Sequence, residues 1–150
     1  MAPGAGWGYD SYSKAEGMNG GGWQSPWQPA YTRMAEVDKP SDSLVFLEES
    51  DPRGINWGTW VINVEQPPAA TPAGAGWVDV FSVYHGKASS VSFADGHTEQ
   101  HTWQDNAVLD AATKSGRGIA SFFPAGGTGN NPDFLWIYNR YKHKNWAPWY

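Results

Sequence analysis

The stretch Ser-Ser-Val-Ser-Phe-Ala-Asp-Gly-His-Thr-Glu-Gln-His-Thr-Trp, residues 89–103, decides the fold. Apolar and polar residues alternate before Asp95-Gly96, and a second short run follows directly. Asp-Gly between two such runs predicts a β-hairpin, because both residues tolerate the positive φ of a type I′ turn. Successive side chains on a strand point to opposite faces, so we expect Val91 and Phe93 on one face and the serines between them on the other.

Three apolar runs upstream of the hairpin predict further strands. Residues 44–47 (Leu-Val-Phe-Leu) are continuously apolar, which is typical of a buried central strand. Residues 59–64 form a second run and residues 77–84 a third. Together with the hairpin, these runs predict a small antiparallel sheet.

Two short helices are predicted after the hairpin. Residues 105–113 are compatible with one helix. The second helix has a clear beginning, since Asn131 is a good capping residue, Pro132 fits the first helical position and Asp133 suits the positive helix end. Apolar side chains then recur at helical spacing as far as Tyr141. The predicted class is therefore α+β, with short helices flanking the sheet and long loops rich in Gly and Trp.

The length and composition indicate one domain with long loops. A chain of 150 residues is usually a single domain. It contains 18 Gly and 11 Pro, so much of it must be turn and loop. We divide residues 1–150 into an irregular, aromatic-rich segment (1–30), a sheet core with the hairpin (31–115), and a loop followed by the C-terminal helix (116–150).

Several functions are disfavoured by what the sequence lacks. The formal net charge is −5 and the Lys and Arg residues are scattered, so we expect no nucleic-acid partner. There is no cysteine, which removes disulfides and thiolate chemistry. No apolar stretch reaches the roughly 18 residues that a membrane span needs.

One motif has a recognisable spacing. His85 is followed by nine residues and then Asp95-Gly96. This His-x9-Asp-Gly pattern resembles the prepilin-type processing-associated domain, a family of type IV pilin-like proteins. Other segments are similar to that family's pattern: the Tyr/Gly/Asn-containing residues 12–19, residues 37–49 with their closing acidic pair, and Asn-Pro-Asp-Phe-Leu-Trp at 131–136.

The resemblance implies the β-rich head of a pilin-like surface protein, with a structural or adhesive role. Members of the family carry a cleavage motif and a long hydrophobic helix before the head, and we expect that anchoring helix to be absent from this chain. The resemblance thus implies a cell-surface, extracellular or periplasmic location and other pilin-like subunits as partners. It implies no membrane contact by this fragment itself.

The acids and imidazoles near the motif suggest a divalent metal site. We expect one sheet edge to collect them, because residues 48–51 end one predicted strand, His85 ends another and the hairpin tip lies beside them. Oxygen ligands would favour Ca²⁺, and imidazoles would favour Zn²⁺. The structural alternative is that Asp95 shapes its own turn and His85 bonds a nearby carboxylate. The candidate ligands are Glu49, His85, Asp95 and His97.

The same residues provide the chemical types of a hydrolase triad, so a small esterase or glycosidase is a second hypothesis. No Gly-x-Ser-x-Gly elbow is present, and alternating serines are the ordinary polar face of a hairpin. The candidates are Ser92, Ser90 or Ser82 as nucleophile, His85 or His97 as base, and Asp95 or Glu49 as the orienting acid.

The 10 Trp residues allow a third hypothesis, a module that binds carbohydrate or a polymer surface. Exposed aromatic rings offer a large flat surface at little conformational cost. The alternative is that Trp replaces Leu and Ile as core filler. Core positions are expected for Trp57, Trp60, Trp77, Trp103 and Trp136. Ligand-binding positions are expected for Trp23, Trp27, Trp146 and Trp149.

Overall fold

The computed structural model describes residues 12–18, 29–52, 58–63, 75–79, 81–119 and 131–144. The strands are β1 (Tyr12–Ala15), β2 (Leu44–Glu48), β3 (Thr59–Trp60), β4 (Ile62–Asn63), β5 (Gly76–Trp77), β6 (Ala88–Phe93) and β7 (Thr98–Thr102). The helices are α1 (Asn106–Gly116) and α2 (Pro132–Arg140). Short 3-10 turns cover Glu16–Met18, Met34–Glu36 and Pro40–Asp42.

The described strands form a five-stranded sheet, in the order β3-β1-β2-β6-β7, and a two-stranded sheet of β4 and β5. The predicted α+β class is confirmed. Strand β2 is central, as its continuous apolar run indicated. The large sheet is mixed rather than purely antiparallel, because β1 pairs with β3 in parallel while its other pairs are antiparallel.

Strands β6 and β7 form the predicted hairpin, but the turn differs from the predicted type. The Phe93 amide donates to the His97 carbonyl (3.0 Å), and the Gly96 amide donates to the Phe93 carbonyl (3.0 Å). The loop is therefore three residues long. Gly96 has φ +94°, whereas Asp95 does not have positive φ. This pattern fits a three-residue hairpin loop with glycine at the left-handed position, which corrects the type I′ prediction.

An irregularity in β2 sets which side chains face the core. The register with β6 shifts between Leu44, opposite Phe93, and Phe46, opposite Ser92. Because of this shift, Leu44 and Leu47 are both fully buried although they are three residues apart. Phe46 instead faces away from the core. We call the buried side of the five-stranded sheet the inner face and the opposite side the outer face.

Aromatic rings fill much of the core on the inner face. The Phe81 and Trp103 rings stack with centroids 3.7 Å apart, and Trp77 makes an edge contact with Phe134 at 5.2 Å. Trp60 packs against Trp77 at 6.2 Å. The prediction that tryptophans act as core filler is confirmed for Trp60, Trp77 and Trp103, which are at most 2% exposed. Trp136 is partly buried against the same cluster, and Trp57 lies outside the described residues.

Both helices begin at capping side chains and pack on the core. The Asp105 carboxylate accepts from the amides of the first turn of α1, and the Asn131 side chain does the same for α2, as predicted. One oxygen of Asp133 also accepts from the amides of Gln104 (2.9 Å) and Asp105 (2.7 Å). These bonds join the beginning of α2 to the beginning of α1.

Two strand predictions are wrong in part. Residues 77–84 do not form one strand, because β5 ends at Trp77, and among the described residues that follow it up to Tyr84 only Phe81 pairs, in an isolated bridge with Glu49. The described part of the predicted strand 59–64 is divided at Val61 into β3 and β4. Asp79 explains both interruptions, since its carboxylate accepts from the Val61 amide (2.9 Å) and its own amide donates to the Val61 carbonyl (3.1 Å).

The prediction of an irregular segment over residues 1–30 is wrong for Tyr12–Ala15, which form β1. Their sequence, Tyr-Ser-Lys-Ala, lacks the apolar alternation that marks a strand. The segment is extended because it pairs with β2 on one side and with β3 on the other. Its long-range pairing therefore decides its structure more than its local propensity does.

Candidate functional site

The two halves of the His-x9-Asp-Gly motif lie at opposite ends of β6. His85 is in the turn before that strand, and Asp95 is in the loop after it. A strand rises by about 3.3 Å per residue, so the six residues of β6 hold the two halves apart. This corrects the expectation that one sheet edge collects both. The motif instead makes two separate contacts.

The first contact is centred on Glu48, whose side chain is buried on the outer face. One carboxylate oxygen accepts from the Tyr12 hydroxyl (3.0 Å) and from His85 Nε2 (3.0 Å). The other oxygen accepts from the Ser90 amide (2.8 Å). Burial, followed by the hydrogen bond to Glu48, raises the pKa of Tyr12. Glu48 thus joins three strands and the His85 turn, as the structural alternative for His85 predicted.

The second contact is at the exposed hairpin tip. Asp95 accepts from the His97 amide (3.1 Å) and from His97 Nδ1 (2.6 Å). Both bonds lower the pKa of Asp95, and the bond from the imidazole has the larger effect. The His97 ring stacks on Phe93, with centroids 4.4 Å apart. Asp95 therefore shapes its own turn, and His97 is held against the sheet.

A serine nucleophile is not assembled at either imidazole. In the part of the chain that the structure describes, no serine hydroxyl bonds to the ring of His85 or His97. Ser82 is fully buried, and Ser90 donates its amide to Glu48. Ser92 pairs with Phe46 and Thr98 in the sheet. The predicted catalytic residues therefore belong to the sheet and its turns without forming a triad.

A different group of carboxylates does come together, at the end of β2. Glu49, Asp51 and Asp79 each place a carboxylate oxygen within 4.8 Å of the others. Glu49 is 1% exposed and Asp79 is 5% exposed. The Ser13 hydroxyl donates to Glu49, and the Val61 amide donates to Asp79. We call these three residues the acidic triad.

The acidic triad has the chemistry to hold a divalent cation. Its ligand atoms are all oxygens, which suits Ca²⁺ better than Zn²⁺. It shares only Glu49 with the predicted ligand set, because His85, Asp95 and His97 are engaged elsewhere. Asp79 was missed by the sequence reasoning. The available signal was a single acid within the otherwise apolar run 77–81.

The negative charge extends from the acidic triad into the core. The Tyr141 hydroxyl donates to Glu16 (3.3 Å), and both side chains are buried. Burial raises the pKa of Tyr141 well above its ordinary value, and the nearby carboxylates of Glu16 and Asp79 raise it further. Tyr141 therefore remains a neutral donor between the two acids at physiological pH.

The predicted aromatic ligand-binding residues fall outside the described part of the chain. Trp23, Trp27, Trp146 and Trp149 belong to this group. Within the described residues, no helix has the length and apolar character needed to cross a bilayer. No protein-family model matches the sequence, and neither a curated protein nor a solved structure matches it significantly.

Proposed function

We propose that this chain is the head domain of a pilin-like surface protein and that it acts in structure and adhesion rather than in catalysis. Its proposed location is the cell surface, the extracellular space or the periplasm. Its proposed partners are other pilin-like subunits and a polysaccharide or polymer surface. The His-x9-Asp-Gly pattern supports the pilin-like assignment, and the contact of His85 with the buried Glu48 carboxylate supports the structural role.

The contacts of the motif residues support a structural role. His85 donates to a buried carboxylate that already accepts from Tyr12 and from a strand amide. Asp95 and His97 close the hairpin tip. A general base needs an imidazole within hydrogen-bond reach of the group that it deprotonates. Within the described residues, no serine hydroxyl bonds to the ring of His85 or His97, so neither imidazole has a nucleophile to deprotonate, which favours a display domain over a hydrolase.

The proposed cofactor is a divalent cation at the acidic triad, with Ca²⁺ preferred. Like charges brought close together in a buried position repel each other strongly. A bound cation would offset that repulsion and would fix β2 to the segment between β5 and β6. The role of this cation is structural, since no candidate nucleophile or base is part of the acidic triad.

Two tests address the proposal. The genomic reading frame upstream of Met1 is expected to encode a prepilin cleavage site followed by an apolar helix. A stop codon in frame shortly before Met1 would contradict the pilin-like assignment.

Activity is tested separately with a panel of nitrophenyl esters and nitrophenyl glycosides. We expect no turnover above the buffer rate. Turnover that disappears in His85→Ala, persists in the matched His101→Ala variant and leaves the circular dichroism spectrum unchanged would establish the hydrolase instead.

A further inference from the structure

The outer face of the five-stranded sheet carries a continuous row of side chains. Lys14 pairs with Thr59 on one side and with Phe46 on the other. Phe46 pairs in turn with Ser92, and Ser92 pairs with Thr98. One row thus crosses all five strands. Residues in such register share a face of the sheet.

A second row lies beside the first on the same face. Tyr12 pairs with Glu48, whose carboxylate accepts from the Ser90 amide, and Ser90 pairs with Gln100. The two rows together place two aromatic rings, Tyr12 and Phe46, on the adjacent strands β1 and β2, beside hydroxyl and amide groups. We call these two rows the outer platform.

The two rings of the outer platform are exposed, and the Tyr12 ring is held in place. Tyr12 is 52% exposed and Phe46 is 37% exposed. The Tyr12 hydroxyl donates to Glu48, which fixes the direction of its ring. The Lys14 ammonium lies 5.8 Å from the centroid of Phe46. Rings that are already positioned lose little conformational freedom on binding, so they make efficient contact surfaces.

The charge of the outer platform indicates what it binds. In its two rows Lys14 and Glu48 cancel in charge, and the Glu48 carboxylate is satisfied by Tyr12, the Ser90 amide and the His85 imidazole, which lies on the same face. Ser92, Thr98 and Gln100 offer neutral hydroxyl and amide groups. The whole chain carries −5, which opposes binding to a polyanion. The complementary partner presents flat apolar patches and hydroxyl groups without net charge.

We propose that the outer platform binds an uncharged polysaccharide, with sugar rings stacked on Tyr12 and Phe46. The hydroxyls of the sugar would then bond to the Ser, Thr and Gln side chains along the two rows. This inference rests on the adhesive part of the proposed function. The site it names differs from the one predicted from the sequence, which consisted of tryptophans that lie outside the described residues.

The test is affinity electrophoresis in gels that contain a soluble neutral polysaccharide, hydroxyethyl cellulose or glucomannan. Parallel gels contain the polyanion alginate or no polymer. The test variants are Phe46→Ala and Tyr12→Ala. Met34→Ala is the matched control, because Met34 is 55% exposed but belongs to a 3-10 turn and to neither row of the outer platform. Melting curves confirm that each variant folds.

We expect retardation of the wild type by at least one neutral polysaccharide. Phe46→Ala should weaken binding at least ~10-fold, as for a central aromatic contact. Met34→Ala should bind as the wild type does. Binding should persist when NaCl is raised to ~0.5 M, because the contact does not depend on ion pairs.

Three results would overturn the inference. These are no retardation by any neutral polymer, retardation by alginate alone, and retardation that Phe46→Ala leaves unchanged while Trp23→Ala or Trp146→Ala removes it. None of them bears on whether the reading frame upstream of Met1 encodes a prepilin cleavage site. Failure of the binding site and failure of the pilin-like assignment therefore remain distinguishable.

Discussion

The two faces of the five-stranded sheet use aromatic residues in different ways. On the inner face, Phe81 and Trp103 are buried and stack at 3.7 Å within a continuous aromatic core. On the outer face, Tyr12 and Phe46 are exposed, with the Tyr12 hydroxyl bonded to Glu48 and the Lys14 ammonium 5.8 Å from the Phe46 ring centroid. The same residue class thus stabilises the fold on one side and is available for contact on the other. The difference follows from register, since Phe46 alternates with the buried Leu47, whereas the shift in β2 turns Leu44 to the inner face.

The strongest way to test this contrast is to remove a ring from the inner face. Trp103→Ala would lose the stack with Phe81 and the bond from its indole nitrogen to the Ser89 hydroxyl (2.7 Å). Large-to-small core substitutions of this kind cost about 3–5 kcal/mol, so we expect a loss of that order in the free energy of unfolding. Urea denaturation followed by fluorescence measures it. A loss below ~1 kcal/mol would mean that the inner face is not the core.

On the outer face, the corresponding test is Glu48→Gln, which keeps the shape and removes the charge. The amide cannot accept from all three donors, so we expect a loss of roughly 1.5–3 kcal/mol, the usual size for hydrogen bonds to a charged group. Urea denaturation measures this loss. The control is Asp95→Asn, at the exposed end of the motif, which should leave the unfolding curve nearly unchanged. Equal losses in both variants would contradict the distinction between the two ends of β6.

The acidic triad allows a test by metal addition and removal. We expect Ca²⁺ to raise the melting temperature of the wild type and a chelator to reverse the rise. At a free concentration of 100 times Kd, a single site contributes about 2.7 kcal/mol. In Asp79→Asn, the response to Ca²⁺ should be much smaller. Identical melting curves with Ca²⁺ and with chelator would exclude a calcium site in the folded domain.

We expect a smaller effect on stability, one that depends on pH, from His101, which lies at the margin of the inner face. Its ring stacks on Trp136 (3.7 Å), and burial lowers its pKa to about 4. The Arg140 charge lowers this pKa too, while the Asp133 charge raises it. Because the folded-state value lies below the ordinary 6.5, the unfolded chain binds the proton more readily. This contribution to stability is complete above pH 6.5 and declines as the pH falls toward about 4.

His101→Phe is the control for this prediction, because it keeps a flat ring for stacking and cannot titrate. Urea unfolding at about pH 7 and about pH 5 should show a greater loss of stability for the wild type than for His101→Phe. Equal losses would show that the imidazole does not titrate differently in the folded and unfolded chains.

Local patterns were sufficient to predict part of this fold. The hairpin, the central strand at 44–47 and the helix capped by Asn131 each depend on residues that are close in sequence, and each is confirmed. Strand β1 was not predicted, because Tyr12–Ala15 has no apolar alternation and is fixed by its pairing with β2 and β3. The predicted strand over 77–84 failed because Asp79 bonds back to Val61.

The candidate sites depended still more on tertiary structure. The spacing of His85 and Asp95 identified residues that have specific partners, but it did not show that β6 would separate them. The acidic triad brings Glu49 and Asp51, just after β2, together with Asp79, which is 28 residues after Asp51. No local motif can indicate a contact over that separation. The outer platform depends on the register of five strands, which follows from long-range pairing.

The most direct measurement is an NMR titration of the ¹⁵N-labelled domain with a soluble neutral oligosaccharide. If the outer face is the contact surface, the amide shifts should cluster in two rows, at residues 12–14, 46–48, 90–92 and 98–100. The amides of α1 and α2 should remain unchanged. Shifts confined to the helices or to residues 95–97, or no shifts at saturating oligosaccharide, would contradict the division of roles between the two faces.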